Sequence, residues 1–283
     1  MKIFKLTDGI LLQHQSVNYL LRHQWDALIN REALYHYLTE ILPELPVLSA
    51  EIAAAHLKEG LLPPIGRQEV WAAGVTYLRS REARMEESAD SGAADLYDKV
   101  YAAERPELFF KSMPYRVAGH QQKVYIRRDS VWNVPEPEMT LFINSKGNIQ
   151  AYTIGNDMSS RSIEGENALY LPQAKIFERS AAIGPCLYVP AEPIAADTAI
   201  KMSIHRNNQE VYKDETSINR MKRSFTELAG YLYRECDFPD GSFLMTGTCL
   251  VPANDFTLQE EDVVSISIDN IGTLINTVGF KPL

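Results

Sequence analysis

The chain has 283 residues, 45% of them hydrophobic, enough for a large core and for one large domain beside a smaller one. A net charge of −9 excludes the basic surface that nucleic acid demands, and three cysteines with no CxxC spacing exclude a disulfide framework or a thiolate zinc site. No apolar run approaches the roughly 18 residues of a membrane span, and the first six residues lack a signal-peptide core, so a cytoplasmic protein without membrane contact is expected.

Residues 1–65 read as a small N-terminal α+β domain. Lys2 to Leu6 is a short strand that turns at Asp8-Gly9 into a second apolar run. From Val17 to Leu42 apolar residues, among them Leu20, Leu21, Trp25, Leu28, Ile29, Leu34, Leu38 and Ile41, recur at helical spacing. They predict a helix that Pro43 and Pro46 stop. Ser49 is placed to cap a second helix, which runs to about Glu59 and closes at Gly60. Leu62-Pro63-Pro64-Ile65 then reads as a linker.

Residues 66–283 have a different pattern. Strand-like runs dominate: Glu69 to Val75, Lys123 to Ile126, Met139 to Ile143, Ile149 to Ile154, Ile200 to His205 and Val263 to Ile268. Helical patterns occur at about Arg79 to Ser88, Asp95 to Ala103 and Ser217 to Tyr233. Many strands and few helices predict a β-rich α+β domain. The sequence contains neither a glycine-rich phosphate loop nor a GxSxG elbow. Its six histidines are scattered and suggest no histidine metal site.

The segment richest in chemistry is Val134-Pro135-Glu136-Pro137-Glu138. In an extended chain, side chains at i and i+2 point to one face, so both carboxylates can reach one point. A hairpin is expected to turn at Asn144-Ser145-Lys146-Gly147 and to return to Gly155-Asn156-Asp157. A two-residue loop sets Glu138 opposite Thr153 and Glu136 opposite Gly155, with Asp157 on the same face. A three-residue loop shifts the register by one and needs a bulge to restore that face. With the face kept, three carboxylates converge, and they cannot all stay ionised without a cation. An all-oxygen site suits Mg²⁺, Mn²⁺ or Ca²⁺. Spacing alone leaves a second reading open, in which Glu136 and Glu138 are solvated strand-end residues and Asp157 caps a helix near Ser159.

The order of motifs adds a resemblance. Gly74-Val75-Thr76-Tyr77 is followed by Phe109-Phe110-Lys111, Glu136-x-Glu138 and Gly155-Asn156-Asp157-x-Ser159-Ser160-Arg161. Lys175, Thr246-Gly247-Thr248 and Asn270-Ile271-Gly272-Thr273-Leu274 complete the series. Along nearly all of residues 66–283 this resembles the fumarylacetoacetate hydrolase superfamily. The resemblance implies a mixed β-sandwich roll, Mg²⁺ or a similar ion on Glu136, Glu138 and Asp157, and a small 2-oxo acid as substrate. It implies that Lys175 touches the substrate oxygens, that the Thr248 region binds the substrate carboxylate, and that the chain forms a homodimer or homotetramer.

One departure bears on the reaction. Hydrolases of this superfamily carry GxNYxxHxxE, whose His and Glu prepare a water. Here Thr76 replaces Asn, Ser80 stands at the His position and Ala83 at the Glu position. Gly74 to Ser80, together with Ile163-Glu164-Gly165-Glu166-Asn167-Ala168-Leu169-Tyr170-Leu171-Pro172-Gln173-Ala174-Lys175, is similar to the branch of 2-keto-3-deoxy-D-arabinonate dehydratases. That branch forms 2,5-dioxopentanoate and water. The resemblance therefore implies a hydro-lyase. The rivals are a hydrolase of acylpyruvates or fumarylacetoacetate-type compounds with another base, and an oxaloacetate-decarboxylating relative. In the leading reading Lys175 stabilises an enolate or moves a proton, with Glu107 as its acid/base partner. Lys111 is assigned to the substrate carboxylate, and Ser80 and Arg81 to substrate hydroxyls. Bland readings stand beside these: Glu107 as a surface residue after Pro106, Lys111 as a snorkelling strand lysine, and Ser80 and Arg81 as a structural helix start.

Overall fold

The computed structural model describes residues 1–79 and 94–283. In chain order the first elements are β1 (Lys2–Leu6), β2 (Gly9–His14), β3 (Val17–Leu21), α1 (Trp25–Ile29), α2 (Leu34–Ile41), β4 (Val47–Leu48) and α3 (Ala50–Glu59). They are followed by β5 (Glu69–Gly74), α4 (Ala94–Ala102), β6 (Glu107–Ser112), β7 (Val117–Ala118), β8 (Lys123–Ile126) and β9 (Asn133–Val134). The central part contains β10 (Pro137–Ile143), β11 (Ile149–Asp157), β12 (Ser159–Ser160), α5 (Arg161–Glu166), α6 (Leu171–Lys175) and β13 (Ala181–Tyr188). The last part contains β14 (Ala199–Arg206), β15 (Gln209–Ser217), α7 (Phe225–Leu232), β16 (Ser242–Met245), β17 (Val263–Ile268) and β18 (Gly272–Phe280). Among the described residues no helix is long and apolar enough to cross a membrane.

Two mixed sheets carry the fold, as an α+β sandwich. The larger runs β4-β3-β2-β1-β13-β11-β10-β16-β5-β6, with β7 beside β13, and the smaller runs β15-β14-β17-β18-β8. Most neighbours are antiparallel, but β16 with β5, β13 with β7 and β18 with β8 are parallel. The sheets pack face to face through Met139, Leu141 and Ile154 on one side and Met202, Ile266 and Leu274 on the other. The opposite face of the large sheet, with Leu12, Phe142 and Phe243, is covered by Leu28, Leu34 and Leu38 of α1 and α2. With both faces covered, β10 has all seven residues buried, which explains why it reads as a near-continuous apolar run. The N-terminal segment joins this sheet directly, because β1 pairs with β13.

The structure revises two helix expectations. Val17 to Leu42 is not one helix: Val17–Leu21 is a strand and two short helices follow it. Gln15 and Ser16 take φ of 47° and 68°, a left-handed pair that turns β2 into β3 and sets His14 opposite Val17. Neither is a typical residue for that turn, so the break is silent in sequence and the apolar stripes of strand and helices merge. Ser217 to Tyr233 likewise starts as the end of β15, and the helix begins only at Phe225, where Ser224 Oγ accepts from the Glu227 N–H at 3.1 Å. Ser49 does cap α3, its Oγ accepting from the Ile52 N–H at 3.3 Å.

Candidate functional site

The hairpin of β10 and β11 builds the site. Its loop is wider than two residues: Asn144 and Asn148 close it, and Ile143 pairs with Ile149. Asn144 Oδ1 accepts from the N–H groups of Lys146 (3.1 Å) and Asn148 (3.0 Å), and Asn30 Oδ1 accepts from the Ser145 N–H at 2.7 Å. This side-chain closure accommodates the extra residue. A register shift between Phe142 and Ile143 then compensates for it, so Glu138 lies opposite Gly155. Glu136 faces Asp157, with backbone N–H···O distances of 2.9 and 3.2 Å between them. Of the two arrangements open to the sequence, the wider loop with a bulge is the one formed.

The outcome is a buried carboxylate cup. Glu136, Glu138 and Asp157 are 5%, 1% and 1% exposed, and each offers an oxygen within 4.8 Å of the others. The solvated reading of Glu136 and Glu138 is thereby set aside. Glu138 Oε2 accepts the Gly247 N–H at 2.5 Å. Gly247 takes φ of +94°, and a Cβ there would lie 2.0 Å from Thr76 Oγ1, so this donor position requires glycine. Burial pushes the Glu138 carboxyl well above its ordinary range, and the charges of Asp157 and Glu136 add to the shift.

Three cations hold the cup. Lys175, at the end of α6, places Nζ 2.8 Å from Glu136 Oε2, 3.2 Å from Asp157 Oδ2 and 2.5 Å from Ser159 Oγ. Arg161 lies 2.7 Å from Glu136 Oε1. Lys111 reaches Asp157 Oδ1 at 2.6 Å and Met158 O at 3.0 Å, and also donates to the Lys175 carbonyl. Burial pulls the Lys111 ammonium down and the Asp157 charge opposes this.

The cavity over the carboxylates is walled by Gly74, Val75, Phe109, Arg161, Gly247 and Thr248. Val75 holds φ of 53°, a strained setting for a β-branched residue, beside the Thr76 Oγ1 bond to Thr246 O at 2.7 Å. Glu107 lies opposite Gly74 across β5 and β6, and a Cβ on Gly74 would sit 2.0 Å from Glu107 Oε2. The structure thus gathers Glu136, Glu138, Asp157, Lys175 and Thr248 at one cavity and sets the Glu107 carboxyl against its wall. Lys111 stands behind Asp157 rather than on the cavity wall. Ser80 and Arg81 lie outside the described residues.

Sequence reasoning overlooked Ser159 and Glu164. Glu164 is 2% exposed and its Oε1 lies 3.3 Å from Lys175 Nζ. The available signal was its i, i+3 spacing from Arg161 on a helix capped by Ser160. Among the described buried groups here, four carboxylates face three cations, one negative charge in excess. An all-oxygen donor set of three converging carboxylates fits a hard divalent cation.

Comparisons with known proteins find relatives along most of the chain. The family profile of the fumarylacetoacetate (FAA) hydrolase C-terminal domain matches residues 82–279. A probable 2-keto-3-deoxyxylonate dehydratase of Haloferax volcanii is 46% identical over 216 residues, 76% of this chain and 73% of its own length. The 2-dehydro-3-deoxy-D-arabinonate dehydratase of Saccharolobus solfataricus is 40% identical over 253 residues, 88% of this chain and 83% of its own. A solved structure of 2-keto-3-deoxy-D-arabinonate dehydratase complexed with magnesium and 2,5-dioxopentanoate matches with a TM-score of 0.86 and 32% identity, over the whole of both chains.

Proposed function

The chain belongs to the fumarylacetoacetate hydrolase family, and we propose that within it this protein is a Mg²⁺-dependent hydro-lyase that converts 2-keto-3-deoxy-D-arabinonate to 2,5-dioxopentanoate and water. The observation that carries the proposal is the buried cup of Glu136, Glu138 and Asp157 with Lys175 Nζ 2.8 and 3.2 Å from two of its members. The two dehydratase relatives support the substrate class. Xylonate and arabinonate of one configurational series differ only at C2 and C3. A keto group at C2 and a methylene at C3 erase that difference, so both names then denote one compound.

Glu136, Glu138 and Asp157 would hold the ion. Bound there, Mg²⁺ supplies Lewis acidity that polarises the C2 carbonyl and acidifies the C3 proton. The residues of the chain supply the rest. Thr248 positions the substrate carboxylate at the cavity wall. Lys175 accepts the C3 proton or holds its ammonium against the oxygen on which charge develops. Glu107 gives a proton to the departing C4 hydroxyl, which leaves as water. The departure leaves a C3–C4 double bond beside the C5 alcohol. Removal of a C5 proton and return of a proton to C3 gives the C4–C5 enol, which takes a proton at C4 and gives up its hydroxyl proton to become the aldehyde. No hydrolytic water takes part, in keeping with Ser80 and Ala83 at the positions where hydrolases carry His and Glu.

The test is product analysis of the purified protein with Mg²⁺. 2,5-Dioxopentanoate formed from 2-keto-3-deoxy-D-arabinonate and abolished by a chelator is the expected result. Cleavage of an acylpyruvate with no dehydration would replace the reading by a hydrolytic one. Cytoplasmic residence and assembly as a homodimer or homotetramer belong to the same proposal. The free thiols of Cys186, Cys236 and Cys249 support the first, and the family resemblance supports the second.

A further inference from the structure

Glu164 stands apart from the three carboxylates of the cup. It lies on α5, with Oε1 3.3 Å from Lys175 Nζ and Oε2 3.8 Å from Arg161 Nε. Those two cations also lean on the cup itself: Lys175 on Glu136 and Asp157, and Arg161 on Glu136 at 2.7 Å. A divalent cation in the cup would compete for the same oxygens and would repel both side chains. Glu164 is a buried carboxylate that both cations share and that is not a member of the cup.

We propose that Glu164 is a positioning residue that retains Lys175 and Arg161 at the cavity wall once Glu136 and Asp157 engage the metal ion. The proposal rests on the metal-dependent reading above. It has two consequences. Glu164 strengthens Mg²⁺ binding without touching the ion, because the displaced ammonium and guanidinium keep an acceptor. It also aims Lys175 at the substrate oxygens. A purely structural ion pair between α5 and α6 would do neither.

The experiment is a calorimetric Mg²⁺ titration of the metal-free full chain, alongside steady-state kinetics. The proteins compared are wild type, Glu164→Gln, Glu164→Asp, Lys175→Met and the Glu164→Gln/Lys175→Met pair. Glu164→Gln is expected to keep the fold, to bind Mg²⁺ about tenfold more weakly, and to lower kcat at least about tenfold, as loss of an outer partner does at metal sites. Glu164→Asp keeps the charge and should stay within about threefold of the wild type for Mg²⁺. In the Lys175→Met background, Glu164→Gln should cost less Mg²⁺ affinity than in the wild type, because the part of the effect that acts through Lys175 is gone and only the part through Arg161 remains. Unchanged Mg²⁺ binding and kcat in Glu164→Gln would overturn the proposal. So would an equal loss in both backgrounds, or a loss in Glu164→Asp as large as in Glu164→Gln. A wild-type protein that binds no Mg²⁺ would remove the metal reading and this proposal with it, whereas normal Mg²⁺ binding by every variant would remove this proposal alone.

Discussion

Lys111 Nζ lies 2.6 Å from Asp157 Oδ1, with the two side chains 0% and 1% exposed. The same ammonium donates to Met158 O and to the carbonyl of Lys175, so one buried lysine ties β6 to the end of β11 and to α6. Removing one partner of such a pair is costly because the other charge stays buried. Lys111→Met should destabilise the metal-free protein by about 3–5 kcal/mol, and saturating Mg²⁺ should restore part of the loss by replacing the missing positive charge. Urea unfolding with and without Mg²⁺ reads both effects. An unchanged midpoint in the absence of Mg²⁺ would show that Asp157 does not depend on this pair.

Glu138 and Lys175 should separate metal binding from chemistry. Glu138→Gln removes a ligand and is expected to weaken Mg²⁺ strongly and abolish turnover, while the circular dichroism spectrum is kept. Lys175→Ala should still bind Mg²⁺ yet lose about two to four orders of magnitude in kcat, the usual worth of a group that moves a proton. Turnover by Glu138→Gln at the wild-type rate would sink the metal assignment. Full turnover by Lys175→Ala would remove that lysine from the reaction.

Gly74 and Glu107 offer a steric test of the acid/base partner. A Cβ on Gly74 would fall 2.0 Å from Glu107 Oε2, so Gly74→Ala must push that carboxyl aside. The cup itself is untouched. The expected outcome is a kcat loss of at least about tenfold in Gly74→Ala, and a comparable or larger loss in Glu107→Gln, both with normal Mg²⁺ affinity. If Glu107→Gln keeps the wild-type kcat, the C4 hydroxyl takes its proton from elsewhere.

The three thiols should react in order of exposure. Cys236 is exposed, Cys249 is half-buried with Sγ 2.8 Å from Thr216 Oγ1, and Cys186 is buried. Burial pushes the Cys186 thiol up to about 12 and raises Cys249 as well. The thiolate is the reactive form, so a disulfide reagent at pH 8 should label one thiol fast, a second slowly and the third only after denaturation. Three equivalents consumed at once by the native protein would contradict this burial pattern.

Much of the site was legible because its signals are local. Glu136 and Glu138 share a face by the two-residue strand period, and Asp157 follows a hairpin whose ends are marked by Asn144 and Gly155. The spacing could not choose the loop, because Asn144 Oδ1 bonding and the contact from Asn30 decided its width, and Asn30 lies more than a hundred residues away. The helix expected over Val17 to Leu42 failed for a related reason: Gln15 and Ser16 form a left-handed turn that their residue types do not announce.

By itself, then, the sequence determined the alternation of strands, the acidic pair on one face, the cap at Ser49 and the motif order that marks the family, because each depends on neighbours within a few residues or on residue identity alone. Tertiary structure decided the rest. It determined that β1 extends the large sheet beside β13, that Lys111 stands behind Asp157, and that Glu164 meets Lys175. Each of these is a contact between elements distant along the chain or on separate short helices. Its geometry is set by how two sheets and their covering helices close over one core, and no local periodicity records that closure.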